Sequence, residues 1–191
     1  MQVAAVILAA GASTRFGSPK QDAPVGTGTM LAAVGNLARA AGLNPVIAVV
    51  PPGRAVPPDV VPVINADPAA GLSRSLRLGL AAVPAELSAA VVLLGDQPTL
   101  PVSTIRSLLA AATDHPIVAA LAEGRIAPPM LIRRDAFELT AEAKGDEGLR
   151  SVLEAHPELV LRVEVGTHPP DVDTQADLAR IAHMFDSSAD R

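Results

Sequence analysis

Three short stretches of the chain hold the residue types that phosphate and divalent-cation chemistry requires. The first follows an apolar run, Val3–Leu8, and carries Gly11, Ser13, Arg15, Gly17 and Lys20. Glycine lets backbone N–H groups approach a ligand closely, while Arg15 offers a planar fork and Lys20 a point charge. The composition suits a phosphate chain, yet it fits neither common motif. A dinucleotide loop needs G-x-G-x-x-G, whereas Gly11 is followed next by Gly17, and an ATP-type loop needs Gly-Lys-[Ser/Thr], whereas Lys20 is followed by Gln21. The second stretch, Gly95-Asp96-Gln97-Pro98, closes an apolar run. A carboxylate there can hold a hard cation such as Mg2+, or cap the following turn. The third is Asp171-Val172-Asp173-Thr174, where Asp173 has the same two choices. Two carboxylates at separate strand ends are what Mg2+ needs when it also binds substrate phosphates.

Two further segments are weaker signals. Asn65–Gly79 places Ser73, Arg74 and Ser75 in the first turn of an expected helix, where their hydroxyls either cap it or face a base or ribose. Gly145-Asp146-Glu147-Gly148 joins two helical stretches, either as a turn or as one wall of an acceptor pocket. His115, His156, His168 and His183 share no metal-ligand spacing and read as surface or loop residues, three of them preceding a proline. No Ser-His-Asp arrangement is visible.

Short apolar runs alternate with helical periods. Strands are expected at Val3–Leu8, Val46–Val50, Val60–Ile64, Ala90–Leu94, Ile117–Leu121 and Leu159–Val165, with a short one at Met130–Ile132. Helices are expected at Thr29–Ala41 (closed by Gly42), Leu72–Val83, Pro101–Ala112, Arg134–Ala143 and Glu147–His156. A last helix runs to about Phe185, opened by Thr174-Gln-Ala-Asp177, a capping box with Asp in the usual Glu position. Continuous apolar strands separated by helices predict a three-layer α/β/α fold with a mostly parallel sheet. One domain is expected over residues 1–185, with 186–191 as a flexible tail. Ligands of such sheets bind at the strands' C-terminal ends, where the candidate residues fall.

Bulk properties narrow the function. The 191 residues carry 15 Lys and Arg against 20 Asp and Glu, a net charge of −5, so no broad basic surface awaits nucleic acid. Aromatics amount to 2%, too few for a base-stacking platform. Cysteine is absent, which excludes thiolate chemistry and is compatible with a reducing cytoplasm, the expected location. The apolar run at 3–12 has no preceding Lys or Arg and is too short to span a bilayer, so no membrane association is expected.

The motifs LAAGASTRFGSPK, GLSRSLRLGL, GDQP, GDEGLRSVL and DVDTQADL, in this order from Leu8 to Leu178, resemble those of the molybdenum cofactor nucleotidyltransferase-like family, and most closely its cytidylyltransferase branch. The resemblance implies a Rossmann-like nucleotidyltransferase fold and Mg2+-dependent transfer of CMP from CTP to the terminal phosphate of molybdopterin, with pyrophosphate released. It implies that the backbone of Leu8, Ala9, Ala10 and Gly11 lies against the nucleotide. Arg15 and Lys20 would bind the triphosphate, and Asp96 and Asp173 the metal. Gly71 and Ser75 would border base and ribose, and Gly145, Asp146, Glu147 and Gly148 the acceptor. Members that use CTP tend to carry Ala-Ala-Gly where guanylyltransferases carry Gly-Gly, so Ala10, whose Cβ narrows the space for a purine, points to CTP. Two departures bear on the acceptor. Gly124-Arg-Ile-Ala-Pro128-Pro129 replaces the usual Gly-His or Gly-Asn before proline, and Asp22 stands where an apolar residue is usual. The other readings are a sugar phosphate or methylerythritol phosphate as acceptor, or a nucleotide-binding regulator without turnover. A monomer is expected, with a molybdoenzyme chaperone as a transient partner.

Overall fold

The computed structural model describes residues 2–112, 115–143, 145 and 149–186. In chain order the strands are β1 (Val3–Leu8), β2 (Pro24–Val25), β3 (Gly28–Thr29), β4 (Val46–Val50), β5 (Val61–Ile64), β6 (Ala89–Leu94), β7 (Ile117–Ala122), β8 (Arg125–Arg133) and β9 (Val160–Glu164). The helices are α1 (Met30–Ala40), α2 (Leu72–Ala81), α3 (Val102–Ala110), α4 (Arg150–Ala155) and α5 (Gln175–Asp186). Seven strands form the central sheet in the order β5-β4-β1-β6-β8-β7-β9. All neighbours pair in parallel except β8, which runs antiparallel to both β6 and β7. The chain winds outward from β1 through β4 to β5, then returns to place β6 on β1's other side. The carboxyl ends of β1 and β6 therefore flank the topological switch point, where such sheets open a crevice.

Every residue of β1 is buried, and its side chains divide between two cores. Val3, Ala5 and Ile7 pack with Leu31, Val34 and Ala38 of α1 and with Ile105 and Leu108 of α3. Ala4, Val6 and Leu8 pack with Leu76 and Leu80 of α2 and with Val152 and Leu153 of α4. This is the expected three-layer arrangement, and each fully buried aliphatic contributes about 1.5–3 kcal/mol. Helix α2 lies so close to the sheet that a Cβ on Gly79 would come within 2.3 Å of Val6. Pro62 is tolerated because β5 is an edge strand, where a missing N–H costs nothing. The tail expected at 186–191 lies outside the described residues, except that α5 ends at Asp186.

Two departures from the expected elements matter. The strand expected at Met130–Ile132 is nine residues long and inserts antiparallel between β6 and β7. Its hairpin with β7 turns through Glu123 (φ 53°) and Gly124 (φ 73°), two positive φ values that give the turn the twist of the flanking strands. The register then jumps from Ala119–Met130 to Ala120–Ala127, leaving Pro128 and Pro129 unpaired in a bulge. Second, the segment expected as an α-helix from Arg134 is a 3-10 helix, Arg134–Glu142.

A third, smaller core binds the periphery to the site. Phe16 from the first loop, Val25 from the β2–β3 hairpin, Met30, Val172 and Ile181 of α5 pack together. This cluster fixes the segments on either side of Arg15 and Asp173.

Candidate active site

The loop after β1 is organised by Ser13, whose φ of 54° is unusual for a residue with a side chain. Its carbonyl accepts from Phe16 N–H at 3.0 Å, and its hydroxyl accepts from Lys20 N–H at 3.2 Å. Phe16 is buried, so the loop is anchored at its middle while Gly11, Thr14, Arg15 and Gly17 remain exposed. On the other side of the crevice, Gly95 N–H donates to Leu8 O at 3.0 Å. A Cβ on Gly95 would lie 2.9 Å from that of Ala9, so only glycine lets the ends of β1 and β6 close together.

Asp96 follows directly. Val172 N–H donates to Asp96 O at 2.9 Å, and Gln97 Nε2 donates to Asp171 Oδ1 at 2.8 Å, so the third stretch is stitched to the second. The three stretches meet at one atom. Lys20 Nζ lies 2.6 Å from Asp96 Oδ2 and 3.0 Å from Asp173 Oδ1, while Arg15 reaches Asp173 Oδ2 at 2.8 Å. Side-chain exposure is 12% for Lys20, 20% for Asp96 and 29% for Asp173, so the cluster is largely shielded yet open to a ligand. Burial alone would lower the pKa of Lys20, but the two carboxylates outweigh it and hold it above 10.5. Lys20 is therefore charged at physiological pH. The Asp171 carboxyl titrates above its usual value, first because it is partly withdrawn from water. Gln97's hydrogen bond partly offsets this, and the charges of Asp96 and Asp173 add to it.

Asp173 is not a helix cap. Asp177 Oδ2 accepts from Asp173 N–H, Thr174 N–H and the Thr174 hydroxyl, and Thr174 Oγ1 accepts from Asp177 N–H at 3.2 Å. This reciprocal box relieves Asp173 of capping and leaves its carboxylate for the two cations. The donor set suits a hard divalent cation. Two carboxylates converge on a positive charge, and that ammonium stands where such a cation would be held. No group of three or more His, Asp or Glu side chains among the described residues forms a metal cluster.

Beside this cluster, on the α2 and α4 face, lies a cleft of about 970 Å³. Gln97 and Asp171 form its border with the carboxylates. Leu8, Leu72, Leu76, Leu94 and Met130 give it an apolar floor, and Gly124–Pro128 of the β7–β8 hairpin form its outer wall.

The remaining expected residues fall as follows. Ser73 and Ser75 are buried, and Ser75 Oγ accepts from Asn65 Nδ2 at 3.0 Å, so its hydroxyl faces the protein. Asn65 in turn accepts from Arg74 Nε at 3.1 Å. Gly71 (φ +90°) packs so tightly on Gly145 that a Cβ would sit 2.5 Å from Gly145 C, which brings the start of α2 and the segment before α4 together. Asp146, Glu147 and Gly148 lie outside the described residues. Asp22 pairs with Arg54 and does not line the cleft, so its departure from the family pattern has a local explanation. His168 lies in the loop between β9 and α5, as expected of a surface or loop residue. It is half-buried, lines the cleft, and its Nε2–H donates to Arg125 O at 2.9 Å. The β7–β8 hairpin is absent from the expected elements, although Glu123-Gly124 between two apolar runs is a turn signal.

The sequence pattern of the MobA-like NTP transferase domain matches residues 5–160, and the chain belongs to that family. No curated protein matches. Among solved structures, the chain is similar to Rv0371c from Mycobacterium tuberculosis H37Rv, at 29% identity and a TM-score of 0.82, covering 96% of this chain and 98% of that one. A second structure of Rv0371c is a complex with manganese, with a TM-score of 0.79, 29% identity and coverage of 96% and 99%. The nucleotidyl transferase Mth528 from Methanothermobacter shares the fold at 20% identity, with a TM-score of 0.81 and coverage of 98% and 99%. So does the 2-C-methyl-D-erythritol 4-phosphate cytidylyltransferase of Thermus thermophilus, at 20% identity, a TM-score of 0.74 and coverage of 97% and 100%. The protein is thus a nucleotidyltransferase of the MobA-like family.

Proposed function

We propose that this MobA-like NTP transferase is a Mg2+-dependent cytidylyltransferase that moves CMP from CTP to the terminal phosphate of molybdopterin. The observation that carries the metal and triphosphate chemistry is the Lys20 ammonium shared by Asp96 and Asp173 at the switch point. The choice of CTP and molybdopterin rests on the likeness of the motifs, Ala9-Ala10-Gly11 above all.

Asp96 and Asp173 are the residues that would hold the divalent cation. Bound there, it would neutralise phosphate charge and polarise the α-phosphoryl group. The manganese in the Rv0371c complex supports a divalent cation in this family. Lys20 then turns its ammonium from the carboxylates to the triphosphate, and Arg15, mostly exposed, swings from Asp173 onto the β- and γ-phosphates. The reaction is an in-line displacement. An oxygen of the acceptor phosphate attacks the α-phosphorus, a new P–O bond forms, and the bond to the bridging α–β oxygen breaks with its electron pair leaving on pyrophosphate. No protein nucleophile takes part, since positioning and electrostatic stabilisation suffice. Gly95 keeps the floor of the crevice low enough for the α-phosphate to approach β1 and β6 together.

The test is pyrophosphate release with each of four nucleoside triphosphates, Mg2+ and molybdopterin, for the wild-type protein and Asp96→Ala. Release is expected with CTP and is lost in the variant, whose far-ultraviolet dichroism stays unchanged. Release by Asp96→Ala at the normal rate would refute the metal assignment. Release only with methylerythritol phosphate or a sugar phosphate would refute the acceptor. No release with any nucleotide and acceptor would leave a nucleotide-binding regulator.

A further inference from the structure

The cations of this acidic chain are almost all committed. Lys20 and Arg15 hold Asp96 and Asp173, Arg39 holds Asp59, Arg54 holds Asp22, Arg133 holds Asp135 and Arg180 holds Asp177. Arg74, Arg77, Arg106 and Arg134 donate to Asn65 or to backbone carbonyls. Among the described residues three guanidinium groups have neither a carboxylate nor a carbonyl partner, those of Arg125, Arg150 and Arg162. All three line the same cleft. They come from three different elements, the β7–β8 hairpin, α4 and β9, so local sequence does not explain their convergence.

We propose that the acceptor carries, besides the phosphate that attacks, at least one further anionic group gripped by Arg125, Arg150 and Arg162, with an apolar or planar body between the two. The inference rests on the nucleotidyltransferase reading of the site and names the class of its second substrate. The layout supports it. The cleft begins at Gln97 and Asp171, beside the metal-binding carboxylates. Arg162 stands on β9, three strands away from β6, a lateral distance of about 14 Å at the usual spacing. Less the reach of the arginine side chain, this leaves room for one or two rings. The floor between is apolar, so it favours a flat or hydrocarbon body over a polyhydroxylated one. Glu154 and Asp171 also line the cleft, and among the described residues neither is within ion-pair distance of an arginine. The hairpin bearing Arg125 is held in place by His168, whose Nε2–H donates to the Arg125 carbonyl, so the side chain projects from a fixed backbone.

The experiment compares two probes that differ only in the second charge, phenyl phosphate and 4-carboxyphenyl phosphate, by calorimetric titration at constant ionic strength. The carboxylated probe is expected to bind the wild-type protein about tenfold more tightly or better, as charge-assisted hydrogen bonds do. The double substitution Arg125→Ala with Arg162→Ala is expected to bring the two probes to about equal affinity and to leave phenyl phosphate where it was, while Arg162→Lys alone keeps the preference. Three results overturn the proposal: no preference in the wild type, a preference that survives the double substitution, or equal weakening of both probes, which would make the arginines the site of the attacking phosphate. Binding needs no turnover, so a failure of pyrophosphate release and a failure of this preference are separate outcomes.

Discussion

Replacing Lys20 with Met moves metal affinity and catalysis in opposite directions. The ammonium sits 2.6 Å from Asp96 and 3.0 Å from Asp173, in the space a divalent cation would take. Any such cation must first displace it. At an effective dielectric of about 20, a unit charge pair near 3 Å interacts by about 5–6 kcal/mol, most of which is returned as desolvation. Exposed pairs measure about 0.2–1 kcal/mol, and breaking a fully buried pair costs about 3–5 kcal/mol. With side-chain exposures of 12%, 20% and 29%, this cluster falls between, at about 2 kcal/mol. Lys20→Met should therefore bind Mn2+ about 30-fold more tightly than the wild type in the absence of nucleotide. The same change removes a donor from the leaving pyrophosphate, and turnover should fall by about 100-fold or more. Calorimetric Mn2+ titration at pH 7.5 gives the first number and pyrophosphate release the second. Unchanged or weaker Mn2+ binding in Lys20→Met would show that Asp96 and Asp173 form only an ion-pair scaffold, and the metal assignment would fall with it.

Other perturbations probe the frame. Gly79→Ala puts a Cβ 2.3 Å from Val6 Cγ1 and 3.0 Å from Val49 Cγ2, so the urea midpoint should drop by an amount equivalent to about 1–3 kcal/mol despite the better helix former. The Asp177 carboxyl lies below its usual value of 3.8, first because the Thr174 hydroxyl donates to it and then because the Thr174 and Asp173 N–H groups do. A depressed carboxylate stabilises the fold above the unfolded-state pKa and loses that contribution as pH falls through the folded value. Asp177→Asn should accordingly be less stable than the wild type at pH 7 and equal to it well below pH 3.8, measured by denaturant titration with chelator present. Ala10→Gly should raise the ratio of GTP to CTP use in kcat/KM, and an unchanged ratio would mean that Ala10 does not select the base.

The parallel core is legible in the sequence because its signal is redundant. Val3–Leu8, Val46–Val50 and Ala89–Leu94 are apolar at every position, and burial on both faces leaves no other reading. Asp96 is legible for the converse reason, as a charge placed where a buried strand ends, whereas Asp173 stands beyond the partly exposed edge strand β9, just before α5, and not at the strand end the sequence suggests. What the residues do not declare is convergence. Lys20 and Asp173 are 153 positions apart, and their meeting depends on Phe16, Val172 and Ile181 packing together, a cluster with no local pattern. Strand β8 reads as too short because Pro128 and Pro129 interrupt its period, and proline marks a bulge as readily as an end. The sequence leaves the Ser75 hydroxyl open between capping the helix and facing a base or ribose. The buried Asn65 beneath it, ten residues earlier in sequence, captures it instead.

The division between what is parallel and what is antiparallel in this sheet is also a division of labour. The loop after β1, the end of β6 and the Asp171–Asp173 segment supply the charged cluster of Arg15, Lys20, Asp96 and Asp173, and all are tied to one another by backbone hydrogen bonds or by the third core. The inserted β8 and its hairpin supply the outer wall of the cleft, from Gly124 to Pro128. A change there reshapes the cleft without touching Lys20, Asp96 or Asp173. Arg125 lies in this stretch, while Arg150 and Arg162 come to the same cleft from α4 and β9. Arg125, Arg150 and Arg162 are exposed, so water satisfies them and stability alone does not require a counter-ion. Their gathering at one cleft, in a chain of net charge −5, instead makes a local positive field on an acidic molecule. Low-dielectric walls focus such a field, and the apolar floor between Leu8 and Met130 is such a wall, so an anion entering here is both drawn in and oriented.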